Sequence, residues 1–80
     1  MNKGDIFSKI KTIIYTVLEA EIAITEESEL LGDFILDSLE FMNFITKVEE
    51  EFDIQISDDD IEEFQLGIVQ NMMDYLEKKI

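Results

Sequence analysis

The sequence contains no histidine, cysteine, proline or tryptophan. Without histidine and cysteine, the chain lacks the usual general base, the thiolate nucleophile and the commonest transition-metal ligands, and it can form no disulfide bond. We therefore expect neither an enzyme nor a dedicated metal site. The chain has no proline, internal repeat or low-complexity linker, so its 80 residues, of which 46% are hydrophobic, predict one small domain spanning residues 1–80.

Long hydrophobic runs are also missing. Charged residues interrupt every apolar stretch before it reaches the roughly 20 residues that a membrane-spanning helix needs. The first five residues, Met1–Asp5, lack the basic and then apolar order of a secretory signal. We expect a monomeric, cytoplasmic protein that does not insert into membranes.

Basic residues are scarce, since six Lys or Arg accompany twenty Asp or Glu and the net charge is −14. The whole imbalance lies in residues 26–63, which contain fifteen acidic residues and one basic residue, Lys47. Such a field repels nucleic acid and anionic lipid, and it speeds encounter with basic protein surfaces. The charge therefore predicts basic protein partners; the alternatives are a merely solubilising surface or an acidic interaction module without a prosthetic group.

Apolar residues at spacings of three and four predict an all-α, four-helix bundle with three longer helices, one short helix and a long first loop. Asp5 is the expected N-cap of the first helix, and Asp37 with Glu40 has the spacing of a capping box at the second. The second helix is expected to carry one apolar face, made of Leu39, Met42, Ile45, Val48 and Phe52. The predicted helices span about residues 5–19, 38–52, 58–63 and 67–79.

The connection over about residues 20–36 is longer than compact domains usually allow. Five large apolar residues in it are expected to pack on the bundle and to hold residue 38 at a defined place: Leu30, Leu31, Phe34, Ile35 and Leu36. Residues 21–24 and 52–56 alternate polar and apolar side chains, so a two-stranded element is an alternative for these segments. The aspartates at 58–60 fit the acidic first turn of a helix, because the chain lacks the ligand spacing and central glycine of an EF-hand loop.

Asp37-Ser38-Leu39 is the most informative motif of the chain. A serine in the first turn of a helix points its hydroxyl toward solvent, where another protein can modify it. Together with this motif, several later segments make the chain resemble an acyl carrier protein from about residue 28 to the end: Val48–Asp53, Ile56 with Asp58, Val69–Gln70 and Asp74–Leu76.

The resemblance implies that Ser38 is esterified by the phosphate of 4'-phosphopantetheine. A phosphopantetheinyl transferase with Mg²⁺ would use the Ser38 hydroxyl to attack the pyrophosphate of coenzyme A, with Asp37 helping at the metal and Leu39 next to the attachment point. A chain without a thiol can carry an activated acyl group only on an imported one, so the cofactor and the partners would supply the chemistry.

The same resemblance places partner docking on the second helix, through Glu40, Met42, Glu49 and Glu50. Basic patches on acyl- or aminoacyl-loading and acyl-transferring enzymes would meet these acids, although the spacing of Met42 equally suits the core. Asn43 and Thr46 stand where fatty-acid carriers usually have an acid and a methionine, and Lys47 follows where a small apolar residue is common. These departures put docking to the usual fatty-acid enzymes in doubt.

The cargo stays open between fatty acid or secondary-metabolite acyl groups and, as the alternative, aminoacyl or D-alanyl groups. Ile35 stands where fatty-acid carriers typically have glycine, which favours an aminoacyl carrier. Leu39 argues the other way, because D-alanine carriers usually place a different apolar residue after the serine. Four apolar residues could line an acyl-chain cavity or fill it: Phe44, Ile45, Phe64 and Ile68.

Overall fold

The computed structural model describes residues 2–80, so Met1, which the predicted domain includes, lies outside the described residues. The fold is all-α, with no strand in the part of the chain described. The strand alternative for residues 21–24 and 52–56 is wrong, because residues 21–24 and 54–56 are irregular and Phe52 is the last residue of a helix. The helices are α1 (Lys3–Leu18), α2 (Ser38–Phe52), α3 (Asp58–Glu63) and α4 (Val69–Lys79).

Asn2, and not Asp5, is the N-cap of α1. Asn2 has extended backbone (φ −84°, ψ 167°), and its Oδ1 accepts a hydrogen bond from the Asp5 N–H at 2.9 Å. Asp5 already lies inside the first turn, where its own N–H needs a partner. The helix ends at Leu18, and the left-handed backbone of its C-cap, Glu19 (φ 56°), lets the next N–H, that of Ala20, donate to the Tyr15 carbonyl at 3.2 Å.

The buried face of α2 differs from the predicted one at its N-terminal end. Leu39 is 75% exposed and Met42 is 46% exposed, whereas Phe41 and Phe44 are buried and stack with ring centroids 6.1 Å apart. Both sets of residues have helical spacing, so periodicity alone did not separate them, and the larger aromatic side chains face the core. The buried residues of α2 are Phe41, Phe44, Ile45, Val48 and Phe52.

The last two helices begin in different ways. Ser57 caps α3 through its Oγ, which accepts from the Asp60 N–H at 3.1 Å. The final helix begins at Val69 rather than near Gly67, and its N-cap residue, Ile68, provides no side-chain hydrogen bond. Its first amide groups are satisfied by another part of the chain.

That part is the long connection between α1 and α2. The Val69 N–H donates to the Ser28 carbonyl at 3.0 Å, and the Gln70 N–H donates to the Glu26 carbonyl at 2.8 Å. In the other direction, the Leu30 N–H donates to the Gly67 carbonyl at 2.7 Å. Loop carbonyl groups therefore cap α4, which explains how so long a connection is held in place.

The apolar residues of this connection do not all pack inward as predicted. Leu30 and Leu36 are buried and Ile35 is half-buried, but Leu31 and Phe34 are exposed. Ile24, which the prediction passed over, is buried as well. The connection thus packs on the bundle through some of its apolar residues and leaves three large ones exposed, Ile22, Leu31 and Phe34.

Helix α1 packs against both α2 and α4. Their apolar faces, with the buried loop residues, form one hydrophobic cluster, whose fully enclosed side chains include Ile6, Ile10, Ile14, Leu30, Phe44, Val48, Leu66, Val69, Met72, Met73 and Leu76. Complete burial of each such side chain contributes about 1.5–3 kcal/mol. Within residues 2–80, no helix combines the length and the apolar character needed to cross a bilayer.

Candidate functional site

A capping box begins α2. Asp37 has extended backbone (φ −83°, ψ 177°), and its Oδ1 accepts a hydrogen bond from the Glu40 N–H at 2.7 Å. The Glu40 Oε1 accepts in return from the Asp37 N–H at 2.9 Å. Both carboxylates also lie at the positive end of the helix dipole. Two side chains three positions apart therefore fix the start of this helix.

Ser38 is the first residue of α2 and is exposed. Because Asp37 and Glu40 make the capping hydrogen bonds, the Ser38 hydroxyl is not needed to hold the helix start. Amide groups of the first turn point out of this end of the helix and favour a negatively charged group there. The position fits a phosphate ester on Ser38 Oγ, although another protein must supply the base that removes the hydroxyl proton.

Three apolar side chains near Ser38 in the sequence are left in solvent. Phe34, four residues before the serine, is 92% exposed. Leu39 directly follows the serine, and Met42 lies one helical turn further along. Apolar groups that lie singly on a surface need no explanation, but three of them within nine residues of chain favour a contact with another molecule.

The acids predicted for docking have different surroundings. The Glu49 Oε2 accepts a hydrogen bond from the Ile56 N–H at 2.8 Å, and Glu40 belongs to the capping box. Glu50 is exposed. Two of the three carboxylates thus already contribute to the fold, so substituting them would change stability as well as any docking.

Three of the residues that depart from the fatty-acid pattern lie on α2, and all three are on the surface. Asn43, Thr46 and Lys47 are exposed, and the Thr46 Oγ1 donates to the Met42 carbonyl at 3.1 Å. They lie on the helix that carries Ser38, between the exposed Met42 and the acids at its C-terminal end. A partner that docks along α2 would therefore meet them.

The four residues considered for an acyl-chain cavity divide into two pairs. Phe44 and Ile45 are buried in the core, whereas Phe64 is exposed and Ile68 is half-buried. Phe64 lines a groove of about 600 Å³ between α3 and α4. The groove is also lined by Asp60, Asn71, Asp74, Tyr75, Lys78 and Lys79.

One strong hydrogen bond links the two helices at this groove. The Tyr75 O–H donates to the Asp60 Oδ2 at 2.6 Å, and the Phe64 and Tyr75 ring centroids are 5.6 Å apart. Burial disfavours the phenolate, and this hydrogen bond favours the protonated form, so the pKa of Tyr75 is raised to about 12. In the sequence, Tyr75 counted only within the Asp74–Leu76 segment of the family resemblance, and nothing indicated its hydrogen bond to Asp60.

Comparison with known proteins identifies the kind of site. The family model described as "phosphopantetheine attachment site" matches residues 8–76. The chain is 35% identical over 80 residues to the acyl carrier protein of Thermotoga maritima, an alignment that covers 99% of this chain and 96% of the relative. This chain belongs to the acyl carrier protein family. It is also 40% identical over 77 residues to the acyl carrier protein of Buchnera aphidicola subsp. Schizaphis graminum, with 95% of each chain covered.

No solved structure matches this acyl carrier protein family member significantly. The domain of such carriers holds covalently attached 4'-phosphopantetheine, and they are carrier proteins rather than enzymes. The family assignment confirms the resemblance that the sequence motifs indicated. Within residues 2–80, no three metal-ligating side chains of the His, Cys, Asp or Glu type are grouped closely enough to hold a metal ion.

The sequence did not predict which of the apolar side chains near Ser38 are exposed. The sequence placed Leu39 and Met42 in the apolar stripe of α2 and also named them as site and docking residues, and both are exposed rather than part of the core. Phe34 was expected to pack on the bundle and projects into solvent with positive φ (59°). No local signal distinguishes these side chains from core residues, because the distinction depends on which face the rest of the bundle covers.

Proposed function

We propose that Ser38 is the residue to which 4'-phosphopantetheine is attached, and that the chain carries acyl intermediates as thioesters on that arm. The observation that carries the proposal is an exposed serine at the first position of a helix capped by its neighbours, inside the segment that the family model matches. The prosthetic group, when bound, supplies the thiol that this chain lacks.

In the attachment reaction, the Ser38 Oγ forms a bond to the phosphorus of coenzyme A's pyrophosphate that carries the pantetheine group. The bond from that phosphorus to the nucleotide portion breaks, and the serine proton passes to a base on the transferase. Asp37 lies directly before the serine with an exposed carboxylate, which supports a contribution to Mg²⁺ binding in the complex.

Partner enzymes would dock over the start and the exposed face of α2. Leu39 and Met42 offer apolar contacts, Glu50 offers a free-standing surface charge, and Glu40 and Glu49 add to the negative potential. Basic patches on the transferase and on acyl-loading enzymes would complement this surface. We also propose that the protein acts as a monomer in the cytoplasm, where its acidic surface disfavours association with other copies of itself.

The name of the relatives, acyl carrier protein, supports an acyl cargo in fatty acid or secondary-metabolite biosynthesis. Ile35 before the motif keeps an aminoacyl or D-alanyl cargo as the alternative. Loading the modified protein with a panel of acyl and aminoacyl donors, and measuring which thioesters form, separates the two.

Attachment is tested by co-expression with a broad-specificity phosphopantetheinyl transferase, followed by intact mass measurement. The expected result is a gain of one phosphopantetheine in the wild type and none in Ser38→Ala. A third protein, with Ser8→Ala, is the matched control, because it removes an exposed serine hydroxyl from α1 and should be modified like the wild type. A modification that persists in Ser38→Ala would overturn the proposal.

A further inference from the structure

Phe34 combines two properties that a bulky residue rarely has. Its side chain is 92% exposed, and its φ of 59° lies in the left-handed region. Large residues are disfavoured there, because Cβ crowds the backbone, and a ring left in water gains little from packing inside the chain. A strained, exposed aromatic side chain points to a function outside the folding of the chain itself.

Hydrogen bonds on either side fix the backbone that presents Phe34. The Asp33 N–H donates to the Glu29 carbonyl at 2.8 Å, and the Phe34 N–H donates to the Leu31 carbonyl at 3.1 Å. The Leu36 N–H donates to the Leu30 carbonyl at 2.8 Å, and both of these leucines are buried. A side chain held in this way loses less freedom on binding than one on a mobile loop.

The position of Phe34 brings it within reach of any enzyme that acts on Ser38. Four residues of chain span at most about 14 Å. A standard protein interface covers about 800 Å² on each partner, which is a patch roughly 30 Å across. An enzyme whose interface with the carrier is centred on Ser38 therefore also covers Phe34.

The surroundings define the chemistry of that enzyme's surface. Phe34 and the exposed Leu39 lie within residues 26–63, where fifteen acids accompany one basic residue. An apolar pocket surrounded by basic side chains complements an aromatic ring in an acidic field.

Building on the proposed function, we propose that Phe34 is a docking anchor for the phosphopantetheinyl transferase that modifies Ser38. Its ring enters an apolar pocket on the enzyme, and basic residues around that pocket face the acids of the carrier. Phe34 positions the serine by fixing the carrier on the enzyme, and it takes no part in bond making. The docking energy comes from burying the ring, so it is expressed in KM rather than in kcat.

The test measures modification rates of the unmodified protein with a broad-specificity phosphopantetheinyl transferase, coenzyme A and Mg²⁺, over a range of carrier concentrations. Phe34→Gly should raise KM about tenfold or more, the effect of removing an interface hot spot, with kcat within about twofold. Its thermal midpoint should equal or exceed that of the wild type, because glycine adopts positive φ without strain. Phe34→Leu, which keeps apolar bulk, should give an intermediate KM.

Asp53→Gly is the matched control. Asp53 also has positive φ (54°), so the substitution places glycine at a second left-handed position. It lies 15 residues along from Ser38, about 22 Å away at 1.5 Å per helical residue. Because Asp53 is also one of the acids of residues 26–63, its reference is Asp53→Asn, which removes the same charge, and the KM values of these two variants should agree within about twofold.

Each alternative result has a distinct meaning. If the wild-type protein is not modified at all, the proposed function and this inference both fall. If the wild type is modified and Phe34→Gly has an unchanged KM, Phe34 is not a docking anchor, and the proposed function is unaffected. A raised KM together with a lowered thermal midpoint, or an equal rise from Asp53→Asn to Asp53→Gly, would also overturn the anchor role, because a general structural effect would then explain the change.

Discussion

The first backbone amide groups of α2 and of α4 find their hydrogen-bond acceptors in different ways. Asp37 and Glu40, three residues apart, satisfy the first amide groups of α2 with their own side chains. The first amide groups of α4 instead donate to the carbonyls of Ser28 and Glu26, about forty residues earlier in the chain. The start of a locally capped helix, with its exposed Ser38, is fixed by its own side chains, whereas the start of a helix capped by a distant loop depends on the packing of that loop.

The largest expected effect comes from loosening the loop that caps α4. Leu30→Ala should lower the free energy of unfolding by about 2–5 kcal/mol, because it empties the volume of a fully buried side chain and frees the loop from the core. Urea denaturation measures the change. Leu31→Ala, the adjacent and exposed residue, should cost less than about 1 kcal/mol. Equal losses in the two variants would show that the loop is not held by its buried leucine.

The next effect concerns the link between α4 and α3, and it depends on pH. The pKa of Tyr75 is about 12, above the usual value of 10 for the unfolded chain. The stabilisation is therefore complete below pH 10 and is lost as pH rises from 10 to 12. We expect a loss of about 1–2 kcal/mol across this interval, measured by urea denaturation at each pH.

Tyr75→Phe provides the comparison for this pH dependence. It keeps the ring against Phe64 but removes the ionising hydroxyl, so the part of the alkaline destabilisation that belongs to Tyr75 should disappear. If wild type and Tyr75→Phe lose stability in parallel from pH 10 to 12, the hydrogen bond to Asp60 does not link the helices in the way described.

A smaller effect tests the local cap of α2. Asp37→Ala should cost about 1 kcal/mol of stability, the usual effect of losing an N-cap, while Asp37→Asn should retain most of the capping energy because its side-chain oxygen can accept the same hydrogen bond. Chemical denaturation at neutral pH resolves the two variants. A cost as large as that of Leu30→Ala would contradict the view that α2 is the more independent helix.

The smallest expected effects are those of two surface ion pairs. Lys9 pairs with Glu51 of α2 at 2.8 Å, and Lys3 pairs with Asp74 of α4 at 2.9 Å. A double-mutant cycle should give about 0.2–1 kcal/mol for the pair of Lys9, falling as salt is added. The hydrogen bond and charge of Asp74 raise the pKa of Lys3. A double-mutant cycle on Lys3 and Asp74 should therefore also give a stabilising coupling energy. Coupling that does not respond to salt would contradict an exposed ion pair in either case.

The contrast between the two helix starts also explains what the sequence could predict. The bounds of α2 and the place of Ser38 followed from a local pattern, because the capping side chains lie beside the residues they cap. The first residue of α4 did not follow, because its hydrogen-bond partners are backbone carbonyls of the loop. At α1 the local signal was ambiguous, since both Asn2 and Asp5 can cap a helix and only the backbone conformation distinguishes them.

Near Ser38, it was harder to predict from the sequence which apolar residues are exposed and which are buried. Leu39 and Met42 have the same helical spacing as Phe41 and Phe44, so the sequence offered two overlapping stripes. Only the placement of α1 and α4 decides which stripe is covered. The exposure of Phe34 likewise depends on hydrogen bonds within the loop, which no periodic pattern encodes.

The backbone hydrogen bonds between the loop and α4 have a consequence for protein engineering. Glu26 and Ser28 hold the helix through carbonyl oxygens, which every amino acid possesses. The side chains of Glu26 and Glu27 are exposed, so their charges can be neutralised or reversed without changing what caps α4. Substitutions in this segment can therefore change the electrostatic attraction that we propose between the carrier and its enzymes, while the backbone hydrogen bonds to α4 are kept.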